Sequence, residues 1–225
     1  MTESRAPKYR RPLLVLVFAL VVYGVVRAAG VSQSDPPAHG KASLPPMRPP
    51  VGLPAPSRSS APFSYDPADY AASVRARSRQ AGVSAQLVMA ILYNEAYKPH
   101  DPSFERSWQK YKPDAAFGIA NMHRATFDEV KRGRDFADRR WDQLPDDRDL
   151  AVEAEAWYLH ALAAQLPTQW TAHYPKNDLL ALGYNTGAGN MLAFARGATP
   201  GAQARSYLER LHGNWAKAGR AVEAP

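Results

Sequence analysis

Nine prolines between residues 36 and 62 constrain the fold of this 225-residue chain more than any other feature. Proline lacks a backbone N–H and fixes φ, so a segment this rich in proline cannot sustain a helix or a central strand. They are Pro36, Pro37, Pro45, Pro46, Pro49, Pro50, Pro54, Pro56 and Pro62, with serine and glycine between them. We therefore predict a Pro-rich, disordered but semi-rigid linker over residues 32–63, with a ligand for a peptide-binding module as the weaker alternative.

The N-terminal segment has the pattern of a membrane-targeting element. A basic flank, residues 8–11, precedes an uninterrupted apolar run over residues 13–26. This pattern fits residues 1–31 either as a cleaved signal peptide or as an uncleaved signal anchor. Arg27 suits a cleavage site poorly, which favours the anchor. Both interpretations place the rest of the chain outside the cytoplasm, because the basic flank stays inside.

Charge and cysteine content exclude several classes of function. Residues 1–62 contain 8 Lys+Arg and 2 Asp+Glu, whereas residues 63–225 contain 20 and 19. The part of the chain that can fold is therefore nearly neutral, and we expect no nucleic-acid partner. The absence of cysteine excludes disulfides, thiolate catalysis and Cys-ligated zinc. The six histidines show no zinc-site spacing, so we expect no metal and no cofactor.

Residues 64–220 are predicted to form one mainly α-helical domain, since no stretch of them is rich in strand-forming residues. Asp66-Pro67 and Ser84 are helix-start signals, and Gly82 is a helix-end signal between them. Further helices are predicted at 126–131, from Pro145 to Pro167, from Asp178 to a break at Gly187 and Gly189, and at 203–218 with Tyr207, Leu208 and Leu211 facing inward. Residues 98–122 contain several prolines and are predicted to be irregular.

Glu95 is the most informative single residue for chemistry. It lies at the end of residues 87–97, predicted to form an amphipathic helix, four positions after Ile91 and three after Leu92. A carboxyl group that extends an apolar stripe is desolvated, which favours its proton-bearing form. Such a group can protonate a leaving oxygen near neutral pH. The alternative is that the stripe simply ends at Glu95 and the side chain reaches water.

Three short pieces of sequence occur in an informative order. They are Ala90-Ile91-Leu92-Tyr93-Asn94-Glu95, Ala115-Ala116-Phe117-Gly118-Ile119-Ala120-Asn121-Met122 and Ala181-Leu182-Gly183-Tyr184-Asn185-Thr186-Gly187-Ala188-Gly189-Asn190. Together they resemble the soluble-lytic-transglycosylase (SLT) type of lysozyme-like domain over about residues 68–215. That family has an apolar helix ending in Glu-Ser, then a Gly-Leu-Met-Gln loop, then Ala-Tyr-Asn-x-Gly.

The resemblance implies a fold, an activity and a set of site residues. It implies a lysozyme-like helical domain that cleaves peptidoglycan between N-acetylmuramic acid and N-acetylglucosamine and leaves 1,6-anhydromuramyl ends. Glu95 would be the single acid and base, and Tyr184 would hydrogen-bond its carboxyl group. Asn185 and the loop containing Gly118, Ile119 and Asn121 would bind the glycan. The location implied is the bacterial cell envelope, with the protein either membrane-anchored or secreted.

The chain departs from the family pattern at three places, which keeps two alternatives open. Ala96 replaces serine, Gly118-Ile119-Ala120-Asn121 lacks the Met and Gln, and Gly183 replaces alanine. One alternative is a muramidase that uses water, with Asp101, Glu105 or Asp114 as a second carboxylate. The other is a cell-wall binding protein without activity. The aromatic residues Trp108, Tyr111 and Phe117 would either stack on sugar rings or pack beneath the loop.

Overall fold

The computed structural model describes residues 65–97 and 100–223, which form eight α-helices and contain no strand. This confirms the predicted mainly α class. The helices are α1 (Ala71–Ala81), α2 (Ala85–Glu95), α3 (Pro102–Tyr111), α4 (Arg124–Val130), α5 (Arg148–Gln165), α6 (Lys176–Thr186), α7 (Ala188–Ala195) and α8 (Ala202–Glu223). The predicted targeting segment and Pro-rich linker lie outside the described residues. Within them, every helix is too short or too polar to cross a membrane.

Short polar side chains start and separate the first two helices as predicted. The Asp66 carboxylate accepts a hydrogen bond from the Ala68 amide at 3.0 Å, and a 3₁₀ turn over Pro67–Tyr70 leads into α1. Gly82 ends α1 with φ of 68°, in the left-handed region that favours glycine. The Ser84 hydroxyl then caps α2 by accepting from the Leu87 amide at 3.2 Å.

Helix α2 lies at the centre of the fold. All six residues from Leu87 to Leu92 are fully buried, so the helix is apolar on every side rather than amphipathic as predicted. Helix α8 packs along it, and α1 packs against α5. The Asn94 side chain joins α2 to α8, because its Nδ2 donates to the Tyr207 carbonyl oxygen at 3.0 Å. The C-terminal end of α2 is therefore fixed against α8.

Helix α3 corrects the prediction that residues 98–122 are irregular. Asp101 caps this helix, its Oδ1 accepting from the Phe104 amide at 2.7 Å, and Pro102 occupies the first turn. A first-turn proline after a capping aspartate is a helix-start signal, because proline lacks only an N–H that has no partner there. Because the segment contains other prolines as well, its overall composition is typical of an irregular loop.

The remaining helix boundaries differ from the predicted ones by a few residues. Asp178 lies in the first turn of α6 instead of capping it, and α8 continues to Glu223. Gly187 separates α6 from α7, whereas Gly189 lies inside α7. Gly183 allows these two helices to approach closely, since a Cβ there would lie 2.8 Å from Sδ and 3.1 Å from Cβ of Met191. That approach explains the glycine where the family pattern has alanine.

Candidate active site

A cleft of about 710 Å³ opens at the C-terminal end of α2. It is lined by residues 93–97 of α2 and its end, by Asn121 and His123, by Tyr184 and Asn185 of α6, and by Tyr207, Arg210 and Asn214 of α8. Glu95 is the only carboxyl group among the described residues that line it. The described lining thus combines one acid with hydroxyl and amide side chains, one histidine and one arginine.

The Glu95 side chain is 7% exposed, and two hydrogen-bond donors hold its carboxyl group. The Tyr207 hydroxyl donates to Oε1 at 3.1 Å, and Nδ2 of Asn121 donates to Oε2 at 3.0 Å. The same amide nitrogen lies 3.0 Å from the Tyr97 hydroxyl. Burial favours the neutral form of a carboxyl group, whereas two donors favour the ionised form. The two effects therefore act in opposite directions on the Glu95 carboxyl group.

The turn that carries Asn121 is a tight hairpin between Phe117 and Met122. These two residues exchange backbone hydrogen bonds of 3.0 and 3.1 Å, and the Asn121 amide donates to the Gly118 carbonyl at 2.9 Å. Gly118 has φ of 69°, and a Cβ on it would lie 2.9 Å from the Leu144 carbonyl oxygen. Asn121 has φ of 49°, a conformation that asparagine tolerates better than most residues.

Three side chains from distant parts of the chain anchor this turn. The Tyr184 hydroxyl donates to the Ala120 carbonyl at 2.5 Å, and the Trp141 indole N–H donates to the Met122 carbonyl at 2.8 Å. Oε2 of Glu105 accepts from the Gly118 amide at 2.9 Å. The position of Asn121 beside Glu95 is thus fixed by α3, α6 and the segment before α5.

The structure corrects the predicted partner of the Glu95 carboxyl group. Tyr184 lines the cleft, but it donates its hydroxyl proton to the Ala120 carbonyl, and Tyr207 donates to Glu95 instead. Burial raises the pKa of both tyrosine hydroxyl groups well above the usual value, and the nearby carboxyl groups raise it further. Both hydroxyl groups therefore keep their protons and can donate hydrogen bonds throughout the neutral pH range.

The other predicted site residues divide into two groups. Asn121 and Asn185 line the cleft as expected for glycan-binding positions. Gly118 and Ile119 are buried and do not line it; the Ile119 side chain is 1% exposed and packs in the hydrophobic core. These two residues therefore do not face the cleft, because the loop turns the Ile119 side chain inward.

Each of the three candidate second carboxylates has another role or position. The Asp101 side chain caps α3, and Asp114 is exposed and outside the lining of the cleft. Glu105 is buried and is bonded to His100 and to the Gly118 amide. Of the candidate sugar-stacking aromatics, Phe117 is buried beneath the turn, whereas Trp108 and Tyr111 are exposed on α3 and do not line the cleft.

Two residues near the site were missed from the sequence. Tyr207 was predicted to face inward, which is confirmed, but nothing in the local pattern indicated its bond to Glu95. Glu155 on α5 is fully buried, and both of its carboxyl oxygens lack a hydrogen-bond partner. Burial, and after it the charge of Glu95, raises the pKa of Glu155 well above its usual range, so the fold favours the neutral form of this group.

Among the described residues, no group of three or more His, Asp or Glu side chains is arranged to hold a metal ion. No known protein-family model matches the chain. No curated protein matches its sequence either.

Proposed function

We propose that this protein is a peptidoglycan lytic transglycosylase with a lysozyme-like helical domain. The observation that carries the proposal is Glu95, the one carboxyl group among the described residues of an open cleft, at the end of a buried helix. Tyr184, Asn185 and the residue aligned with the family's Gln, Asn121, line the same cleft although they come from separate parts of the chain. This agreement between order in sequence and position in space supports the resemblance.

The chemistry requires one acid that acts twice. Glu95 protonates the glycosidic oxygen while the bond to C1 of the muramyl residue breaks, and the N-acetyl group of the substrate stabilises the positive charge at C1. The ionised Glu95 then takes the proton of the C6 hydroxyl as that oxygen attacks C1, which closes the 1,6-anhydro ring. The proton balance closes without water, a metal or a cofactor. Asn121 and Tyr207 stabilise the ionised state between the two steps.

The alternative of a muramidase with two carboxylates has weaker support. Hydrolysis by two carboxyl groups needs a second one facing the scissile bond, about 5–9.5 Å from the first. None of Asp101, Glu105 and Asp114 lines the cleft, and Glu155 is fully buried outside its lining. These positions favour the mechanism in which the substrate's own groups replace the second carboxylate.

The proposal includes a location and a partner. The basic and apolar N-terminal segment would hold the protein on the membrane or direct its export, and the linker would separate the domain from the membrane. The substrate is then the glycan strand of peptidoglycan in the bacterial cell envelope. Nucleic acid is not an expected partner, because residues 63–225 carry almost equal numbers of acidic and basic side chains.

Mass spectrometry of purified peptidoglycan digested by the full-length protein tests the proposal. We expect fragments that end in 1,6-anhydromuramic acid. Fragments with reducing muramic acid ends would instead establish a muramidase. Binding without fragments of either kind would establish a cell-wall binding protein, and either result would overturn the proposed transglycosylase.

A further inference from the structure

A buried polar chain connects the end of α2 to the turn that carries Asn121. The His100 ring is 2% exposed, and its Nε2 lies 3.1 Å from the backbone carbonyl oxygen of Glu95. Its Nδ1 lies 3.0 Å from Oε1 of Glu105, whose Oε2 accepts from the Gly118 amide at 2.9 Å. Three hydrogen bonds thus connect four buried groups, from the backbone of Glu95 to the backbone of Gly118 at the start of the turn.

The hydrogen-bond roles in this chain follow from its ends. A carbonyl oxygen only accepts, so Nε2 of His100 carries a proton and donates it to Glu95. The Gly118 amide only donates, so Oε2 of Glu105 accepts. One further proton lies between Nδ1 and Oε1. The chain also satisfies the last carbonyl of α2, which has no partner within the helix.

The backbone around His100 is adapted to this contact. His100 has φ of 48°, a conformation that is uncommon for a non-glycine residue and that is kept only where the surroundings require it. The Tyr65 ring packs edge-on against the imidazole, with centroids 5.1 Å apart. The ring is therefore held in place from three directions.

We propose that His100 and Glu105 are positioning residues. They fix the Glu95 carboxyl group and the side-chain amide of Asn121 at the separation that catalysis requires. Neither side chain lines the cleft, so they act through the Glu95 backbone and the Gly118 amide. The inference rests on the proposed function. A displacement of about 1 Å at a reacting group can reduce turnover about 100-fold while the substrate still binds.

Paired substitutions at Glu105 separate positioning from charge and from general stability. In Glu105→Gln, the amide oxygen can accept from Gly118 and the amide N–H₂ can donate to a neutral His100, so the chain persists without charge. In Glu105→Ala this series of hydrogen bonds is broken. His100→Asn keeps a residue that tolerates positive φ, but it removes the imidazole that connects the Glu95 carbonyl oxygen to Glu105. As a matched control, Glu153→Ala breaks a different nearly buried ion pair, in which Glu153 Oε1 lies 2.6 Å from Arg77 Nη1.

The test measures kcat and KM of full-length variants on purified glycan strands. We expect kcat to fall about 10- to 100-fold in Glu105→Ala and His100→Asn, with KM changed by less than about threefold. Glu105→Gln and Glu153→Ala should retain kcat within about threefold. Wild-type kcat in both Glu105→Ala and His100→Asn would overturn the inference. So would a Glu105→Gln enzyme that is as slow as Glu105→Ala.

Hydrogen exchange provides a readout that does not depend on activity. The Gly118 amide should exchange faster in Glu105→Ala than in the wild type and at the wild-type rate in Glu105→Gln. Unchanged exchange in Glu105→Ala would contradict the chain of contacts itself. If exchange follows the expectation but the wild type yields no anhydro ends, the proposed function fails while the connection between Glu95 and the turn stands.

Discussion

The Tyr207 hydroxyl donates a hydrogen bond to Oε1 of Glu95 at 3.1 Å, across 112 positions of sequence. Burial raises the pKa of this hydroxyl, so it remains a donor across the neutral range. The bond links the only carboxyl group in the lining of the described cleft to the long C-terminal helix α8. Under the proposed mechanism, Tyr207 stabilises Glu95 after it has lost its proton.

Replacing Tyr207 by phenylalanine should slow turnover with little effect on the fold. The ring stays packed, and only the donor to the carboxylate is removed. We expect kcat to fall roughly tenfold, equivalent to about 1.4 kcal/mol of transition-state stabilisation. Steady-state kinetics and thermal unfolding of Tyr207→Phe measure the two effects separately. Turnover equal to that of the wild type would show that this hydroxyl plays no part in the reaction.

Tyr184→Phe should act differently, because it breaks the hydrogen bond to the Ala120 carbonyl. The variant leaves a carbonyl of the turn without its partner, which costs about 1–3 kcal/mol where the group stays buried. We expect a lower unfolding temperature together with slower turnover, since the turn positions Asn121. A variant with unchanged thermal stability would contradict the assigned role of the Tyr184 hydroxyl.

Substitutions of Asn121 should separate its backbone role from its side-chain role. Asn121→Gly keeps the positive φ but removes the amide donor to Glu95, so we expect near-normal stability and about tenfold slower turnover. Asn121→Gln keeps an amide, yet it should lose about 1 kcal/mol of stability because glutamine disfavours this conformation. Chemical denaturation and kinetics of both variants test this. A Gln variant as stable as the wild type would leave the preference for asparagine unexplained.

Glu155 should make the stability of the domain depend on pH. Its raised pKa keeps it protonated in the fold, whereas in the unfolded chain it ionises above about pH 4.3. Above that pH, folding takes up a proton, so this contribution to stability falls as pH rises, by up to about 1.4 kcal/mol per pH unit. Glu155→Gln removes the effect, so its stability relative to the wild type should rise as the pH increases above about 4.3.

Denaturant unfolding at several pH values measures this difference, with Glu129→Gln as the control. Glu129 is exposed on α4, so its replacement removes a carboxyl group without altering the buried interior around Glu155. A stability difference between Glu155→Gln and the wild type that stays constant with pH would mean that Glu155 is ionised in the fold.

Gly183→Ala should destabilise the contact between α6 and α7. The added Cβ would approach the Met191 side chain to 2.8 Å, and relieving such overpacking costs about 1–3 kcal/mol. Most of this range exceeds the gain of about 1 kcal/mol from replacing glycine within a helix, so we expect a net loss of stability. The cost should be smaller in a Met191→Ala background, which a double-mutant cycle of unfolding free energies measures. Strictly additive effects would exclude the contact as the reason for the glycine.

Local sequence signals predicted those parts of the fold that local chemistry determines. Asp66, Ser84 and Gly82 bound the first two helices as expected, because capping depends on neighbouring residues alone. Helical spacing also located Glu95 at the end of a buried helix. The same helical spacing places Glu155 on one stripe with the buried residues Ala151 and Leu159.

The contacts that complete the candidate site could not be read from spacing. Tyr207 reaches Glu95 only because α8 packs along α2, a tertiary arrangement that has no local signature. Ile119 turns inward because the hairpin geometry places it over the core, although its neighbours in sequence suggested a surface loop.

The most direct test of the account is the yield of 1,6-anhydromuramyl ends from full-length Glu95→Gln, compared with the wild type at equal concentration. The amide keeps the shape of the side chain but has no proton to transfer, so the unfolding temperature should be unchanged. The account predicts a loss of anhydro ends of at least about 100-fold. Anhydro ends formed by a folded Glu95→Gln enzyme at the wild-type rate would contradict it.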